Sequence, residues 1–401
     1  MTLGRWSCLV ASLMPLAGCA DTPTRGERPA LVTQDHVAPP ARDPLRRPFR
    51  HYVDPAGSDH NDGGSASPFK TIQRAAVVAR AGDTVIVRPG RYTGAERIVS
   101  VDQGGTPDAW ITFRSERKWG AVLDGRDGTS VEAWYFGPGV GYVRVEGFEI
   151  RHLHDHGFDF YGGGVHDVVI TGNHVHHIGR NCTDTSNGHT GASLGADTRR
   201  VVFDGNVWHD IGRLAPGEQG CAPRTEYYQN HDHGIYVADA DDVSIRNNVF
   251  YNFGRGWPIH RYFSRGALAR GLTIANNTFV GANPYRPGHI ILASPTDGLR
   301  IENNIFNSPQ TAALFFDTGG LSGAVVRNNL SFPGEMRVGR ARGVQFEHNW
   351  EGVDPRLTSD FQLQPDSPAI DVGLPLADVT HDAAGVARPR GKGYDLGAYE
   401  R

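Results

Sequence analysis

Between residues 142 and 349 the chain repeats one short pattern, in which apolar and polar positions alternate, a Gly-Asn or Asn-Asn pair follows, and an apolar residue comes next. The returns are VRVEGFEI (143–150), VVITGNHV (168–175), VVFDGNVW (201–208), VSIRNNVF (243–250), LTIANNTF (272–279), LRIENNIF (299–306), VVRNNL (325–330) and VQFEHNW (344–350). With Gly147, Asn173, Asn206, Asn248, Asn277, Asn304, Asn329 and Asn349 as markers, the intervals are 26, 33, 42, 29, 27, 25 and 20. A period near 25 with variable insertions is that of a solenoid, whose units cannot bury an apolar face alone. Inside each unit the period is two and Val, Ile and Phe dominate, so the units are strands.

Strands joined by tight Asn/Gly corners at this spacing predict an all-β chain, a right-handed parallel β-helix. One inward column runs through Ile150, Val175, Trp208, Phe250, Phe279 and Phe306, and a second through Leu153, Ile178, Ile211 and Phe253. Asn and Gly accept the positive φ of a sharp corner, and stacked Asn amides can hydrogen-bond along the axis. A helix is expected over 68–81, with Ile72, Ala76 and Val77 on its apolar stripe, capping the first rung; residues 84–88 are expected as the first strand.

Composition changes this picture little. The 401 residues include 51 Gly and carry a formal charge of −4, which gives no footprint for nucleic acid. Residues 1–19 have Arg5 before an apolar stretch too short to span a membrane, as in a signal peptide. Residues 20–50 are rich in Pro and charge and read as a flexible tether. A single domain is expected over 51–401, with loop insertions at 180–190 and 213–233. The loop bearing Asp54, Asp59, Asn61 and Asp62 reads as a solvated cap, with calcium the one cofactor its chemistry admits.

The two insertions carry the functional argument. Each follows a similar turn, His177-Ile-Gly179 or Asp210-Ile-Gly212, so both leave the same edge of neighbouring rungs. Insertions confined to one face mark a binding face. Cys182 and Cys221, one in each, are the only cysteines outside the signal segment, and a disulfide between them would join the loops into one wall.

Aligning the strands that follow puts Asp159, Ser193, Tyr236 and His260 outward in one column, at about 4.8 Å per rung, with His156, Thr190, His233 and Trp257 in a parallel one. His189, Arg224, Glu226, Tyr227, Tyr228, His231, Asp232, Asp239 and Arg261 flank this groove. A further outward column is expected at His152, His177, Asp210 and Asn252, beside Arg151, His176, His209 and Tyr251. Stacked polar ladders explain that column as well as function does.

The opening YVDPAGSDHNDGGSASPFKTIQRAAVVARAGDTVIVRPGRYTG (52–94) resembles that of secreted β-helix proteins, including polysaccharide lyases and related carbohydrate-active families. The closing FQLQPDSPAIDVG (361–373) and DLGAYE (395–400) are similar to terminal segments of surface or secreted β-helix proteins. Leu16-Ala17-Gly18-Cys19 resembles a bacterial lipobox, which implies an exported protein lipid-anchored through Cys19, with the outer membrane as the expected site. Membrane contact is then through the anchor only, and a monomer is expected.

The resemblance and the groove together imply β-elimination on a uronate-containing polysaccharide. His233 or His260 would act as base, Tyr236 as acid or second base, and Arg261 or Arg224 as partner of the substrate carboxylate. Period two argues against Arg261 facing the same way as His260, unless the strand breaks at Pro258. Glycoside hydrolysis is the competing reading, with carboxylates drawn from Asp159, Glu226, Asp232 and Asp239. The Asn-x-Asp strand motif and the paired-aspartate motif usual in pectinase-type β-helix hydrolases do not appear as such in the repeat strands. Two further readings are zinc held by His189, His231 and His233, and a glycan-binding surface protein using Trp257, Tyr227 and Tyr228 as platforms.

Overall fold

The structure, a computed structural model, describes residues 47–182, 188–195, 197–214, 217–221, 231–263, 268–281 and 287–401. The signal segment with Cys19, most of the tether, and Arg224, Glu226, Tyr227 and Tyr228 lie outside the described residues.

Every turn of the chain passes through three strands in the same order. One turn is Gly141–Glu146, Glu149–Arg151 and His156–Asp159, and the next is His166–Thr171, His174–Ile178 and Thr190–Leu194. Like strands of successive turns pair in parallel, building a first sheet of 12 strands, a second of 10 and a third of 9 among the described residues. This is a parallel β-helix. The inward columns stand as the alternation predicts: Val175 pairs with Ile150 and Trp208, followed by Phe250, Phe279 and Phe306, all fully buried.

The Asn-Asn pairs divide their labour. The first member, such as Asn247, Asn276 or Asn303, takes the positive φ of the corner between first and second sheets. The second turns inward and is fully buried. Its Oδ1 accepts from the Nδ2 of the asparagine one rung back, over 3.0 Å from Asn173 to Asn206, 3.0 Å from Asn206 to Asn248 and 3.0 Å from Asn248 to Asn277, continuing to Asn349. Gly147 belongs with the corner residues, one place before the ladder, because its neighbour Phe148 is the residue whose N–H meets Asn173.

The start differs from expectation. The first strand is Arg50–Val53, and the strand expected first, over 84–88, is the second, Thr84–Val87, which pairs with it. The helix is shorter, Ile72–Val78. Asp59 accepts the backbone N–H groups of Lys70 and Thr71, and Phe69 bridges Val53, which keeps residues 68–70 extended until Thr71 caps the helix. Its buried face is Ile72, Ala75 and Ala76, whereas Val77 is exposed. Asp54 and Asp62 accept backbone N–H groups two residues on, and Asn61 donates to Pro68, so all four polar residues of this loop serve the cap.

The closing segments run back along the Asn corners. Asn276 donates to the Asp395 carbonyl, Asn303 to that of Leu374 and Asn328 to that of Val372. The tail thus covers the corner asparagines, the first members of the pairs, and satisfies their amides.

Candidate functional site

The third sheet carries the chemistry on its outer face. Its register aligns Tyr135, Asp159, Ser193, Tyr236 and His260 in one column, and Glu132, His156, Thr190 and His233 in another. Between the two columns run Gly157, Gly191 and Gly234, where a Cβ would lie 2.5 Å from the Gly191 carbonyl oxygen, 2.7 Å from that of Gly234 and 2.5 Å from that of Pro258. A side chain here would also meet the core residues Val175, Trp208, Ile211 and Phe253, so these positions are restricted to glycine.

Two chemical groups share this surface. At one end Arg97 Nε donates to Glu132 Oε2 over 2.8 Å, and its guanidinium lies 3.6 Å from the centre of the Tyr135 ring. Glu132 is hydrogen-bonded to Asp159 and fully buried; burial first, then the charge of Asp159, pushes its carboxyl up to about 7. Asp159 accepts from the Tyr161 N–H, and His156 Nδ1 meets Thr190 Oγ1 at 3.0 Å.

At the other end stand His233, Tyr236 and His260. His260 Nδ1 lies 2.9 Å from His233 Nε2, and the Tyr236 ring is centred 5.3 Å from His233 and 5.1 Å from His260. The Trp257 backbone N–H reaches His233 Nδ1 at 3.3 Å. That approach depends on Gly256, at φ 58°, where a Cβ would collide with the Asp232 carbonyl.

The tautomers follow from the donors. Facing an N–H, Nδ1 of His233 must be the acceptor, so its Nε2 carries the proton and donates to His260 Nδ1. The neutral His260 then carries its proton on Nε2, a buried atom with no hydrogen-bond partner among the described residues. Both rings stay neutral near pH 7. Burial, then the neighbouring His260 and His231, holds His233 well below the usual range, and burial, then His231, lowers His260 to about 3.

The loop wall is closed by the expected disulfide, with Cα atoms of Cys182 and Cys221 5.4 Å apart. Asp232 is the second fastening and lies outside the groove. Fully buried, it accepts from the His189 N–H at 3.0 Å, the Arg213 N–H at 2.9 Å and the Arg213 guanidinium at 2.6 Å.

Several expected contact residues are placed elsewhere. Arg261 is fully buried inside the solenoid, since period two holds through Pro258; it donates to the Ala240 carbonyl, and burial lowers it to about 10. His189 is buried against Asp155, with 3.1 Å between Nδ1 and Oδ1. Trp257 is 3% exposed with its indole N–H on the Pro287 carbonyl, which leaves no ring face for a sugar and makes it the floor beneath His233. His231 is half-buried beside the imidazole pair, and Asp239 sits at a positive-φ corner.

The donor atoms of His189, His231 and His233 do not converge as a metal set among the described residues. Glu132, Arg97 and Tyr135 were not anticipated. The segment EAWYF (132–136) aligns with HGFDF (156–160) one rung earlier, and that alignment was the available signal.

The further column is also rearranged. His152, His177, Asp210 and Asn252 all have positive φ and are corners, whereas Arg151, His176, His209 and Tyr251 face outward from the second sheet in register.

Comparison with known proteins bears on the whole. Uncharacterized protein YwoF of Bacillus subtilis is 26% identical over 267 residues, which cover 50% of this chain and 56% of that protein. Pectate lyase PEL9 of Emericella nidulans is 29% identical over 159 residues, 38% of this chain and 37% of that protein. The chain thus spans about half or less of the length of the curated relatives it matches. The crystal structure of pectate lyase Pel9A has a TM-score of 0.58 at 14% identity, covering 89% of this chain and 98% of that one, a likeness of fold. A family model described as "Pel9A-like, right handed beta helix region" matches residues 51–255, half of the 401 residues, so the chain belongs to the Pel9A-like right-handed β-helix family.

Proposed function

We propose that the protein is an exported polysaccharide lyase that cleaves a uronate-containing extracellular or envelope polymer by β-elimination. The observation that carries this reading is the His233–His260–Tyr236 cluster beneath a fastened loop wall. Its setting in a Pel9A-like helix, with a pectate lyase among the sequence relatives, agrees with it by association. In β-elimination a base takes the proton next to the carboxylate, the bond to the leaving oxygen breaks as a double bond forms, and the leaving oxygen takes up a proton. Charge that develops on the carboxylate needs a donor.

His260 Nε2–H, buried and without a hydrogen-bond partner among the described residues, is the donor this reading assigns, and the bound sugar must reach it. A neutral imidazole with a depressed pKa stabilises an enediolate by hydrogen bonding without giving up its proton. Tyr236, on the adjacent rung, takes the proton next to the carboxylate as its phenolate and, as the phenol so formed, gives that proton to the leaving oxygen. His233 and the Trp257 N–H are positioning groups that fix the tautomer of His260. His156 and Arg97, both partly exposed, line the groove further along and meet neighbouring sugars of the polymer, while Asp159 is buried. Export agrees with the disulfide.

Hydrolysis by two carboxylates is less well served. Glu132 and Asp159 are both buried, the charge of Asp159 helping to raise the Glu132 carboxyl, and Asp232 is fully buried with its carboxylate on His189 and Arg213. The test is incubation with acidic and neutral polysaccharides, following unsaturated-uronate absorbance and new reducing ends together. Both signals rising on an acidic polymer supports elimination; reducing ends without absorbance rejects it.

A further inference from the structure

A second constellation lies on a different sheet. His174 and His176 alternate outward on His174–Ile178, and His176 pairs in register with His209 of the next rung. The His176 and His209 rings stack with 3° between their planes and centroids 4.8 Å apart. His174 Nε2 lies 2.7 Å from His209 Nε2, and one nitrogen from each of the three rings falls within 4.8 Å of the others.

The surroundings set the rings for metal rather than for packing alone. His209 Nδ1 donates to Asp210 Oδ2 at 2.6 Å, which makes Nε2 the lone-pair nitrogen, the arrangement that a carboxylate imposes on a metal-bound histidine; here that lone pair accepts from His174 Nε2–H, the contact an ion would replace. His176 turns its Nδ1 to His177 at 2.8 Å. Its Nε2 has no hydrogen-bond partner, although the residue is only 8% exposed and Glu149 Oε1 stands 3.4 Å away. An unpaired buried nitrogen is costly unless something binds it. Trp119 covers His174 at 4.7 Å and Tyr251 covers His209 at 4.4 Å, closing the flanks.

We propose that His174, His176 and His209 bind one divalent first-row transition ion of the Zn2+ class, with Glu149 or water completing the shell. Three imidazole nitrogens suit such an ion and not calcium, which takes oxygen. The ion would tie two rungs together at the corners from which the loop insertions leave, since His177 and Asp210 are those corners.

The full chain, stripped with chelator, is titrated with Zn2+ in a calorimeter and with Co2+ under visible absorption. The proposal expects one equivalent of each and tetrahedral Co2+ bands. Asp210→Asn should weaken binding about tenfold through the tautomer, and His174→Ala or His209→Ala by at least about tenfold. His176→Gln keeps a polar side chain and serves if an alanine variant fails to fold, as judged by the melting of the metal-free chain. His154→Ala, in the separate His154, Asp155 and His189 group, should leave binding unchanged. Absence of stoichiometric binding, or binding indifferent to His174, His176 and His209, overturns the proposal, as does loss of binding on His154→Ala.

Discussion

His260 Nδ1 accepts a hydrogen bond from His233 Nε2 across two rungs of the third sheet, and the same ring of His233 is held from behind by the Trp257 N–H. A backbone donor in a loop turn thereby decides which face of His260 carries a proton. His233→Ala should then lower kcat by about a hundredfold with KM little changed. His233→Gln, whose amide can still donate to His260, should recover part of that loss. Initial rates of product formation for the two variants check this, and equal losses would reduce His233 to packing.

The loop wall has two fastenings of different kind. Cys182→Ser with Cys221→Ser should cost about 2–4 kcal/mol. Asp232→Ala, which leaves the Arg213 guanidinium buried without its carboxylate, should cost about 3–5 kcal/mol. Denaturant melts of both rank them, with Asp232→Ala expected at least as damaging.

Interrupting the Asn ladder should be expensive mid-column. Asn277 Oδ1 accepts from the backbone N–H and the amide of Asn248, while its own amide donates to Ile245, Ala275 and Asn304. Asn277→Leu strands several buried donors and acceptors, at about 1–3 kcal/mol each. Asn349→Ala, at the end of the ladder and half-buried, should cost less. Melting temperatures of the two variants measure the difference.

Stability should fall in acid before the carboxylates titrate. His289 is packed beside the stacked rings of Phe279 and Phe306 and donates to the Gly281 carbonyl, and burial lowers it to about 4. A lowered folded pKa means that the unfolded chain binds the extra proton first. The contribution is therefore complete above about pH 6.5 and is lost as pH falls towards 4, amounting to about 3 kcal/mol for this residue. His289→Leu should flatten the dependence of stability on pH over that window, as read from melts at a series of pH values.

The solenoid was legible because its signal is one-dimensional. Alternation together with Asn corners fixes which residues face inward, and Ile150 to Phe306 stand in the expected column. The same rule placed Asp159, Tyr236 and His260 on one outward column and turned Arg261 inward.

What period two cannot convey is depth beneath a loop. His189, Asp232 and Trp257 carry site-like chemistry, yet all three are buried and their polar atoms are bonded internally, to Asp155, Arg213 and the Pro287 carbonyl. Nor does alternation hold at corners, where a positive φ at His152, His177 and Asp210 redirects the chain and shifts the outward column by one residue to Arg151, His176 and His209. Glu132 escaped notice because its rung, EAWYF, lacks the Asn marker that announced the later ones.

The most direct test of the central claim is a time course on an acidic polysaccharide panel that reads unsaturated-uronate absorbance and reducing ends in the same sample, for the native chain and for His260→Ala. Elimination predicts that the two signals rise in equal amounts with the native chain and that both fall by at least about a hundredfold in the variant. New reducing ends without absorbance, or full absorbance in the variant, would contradict it.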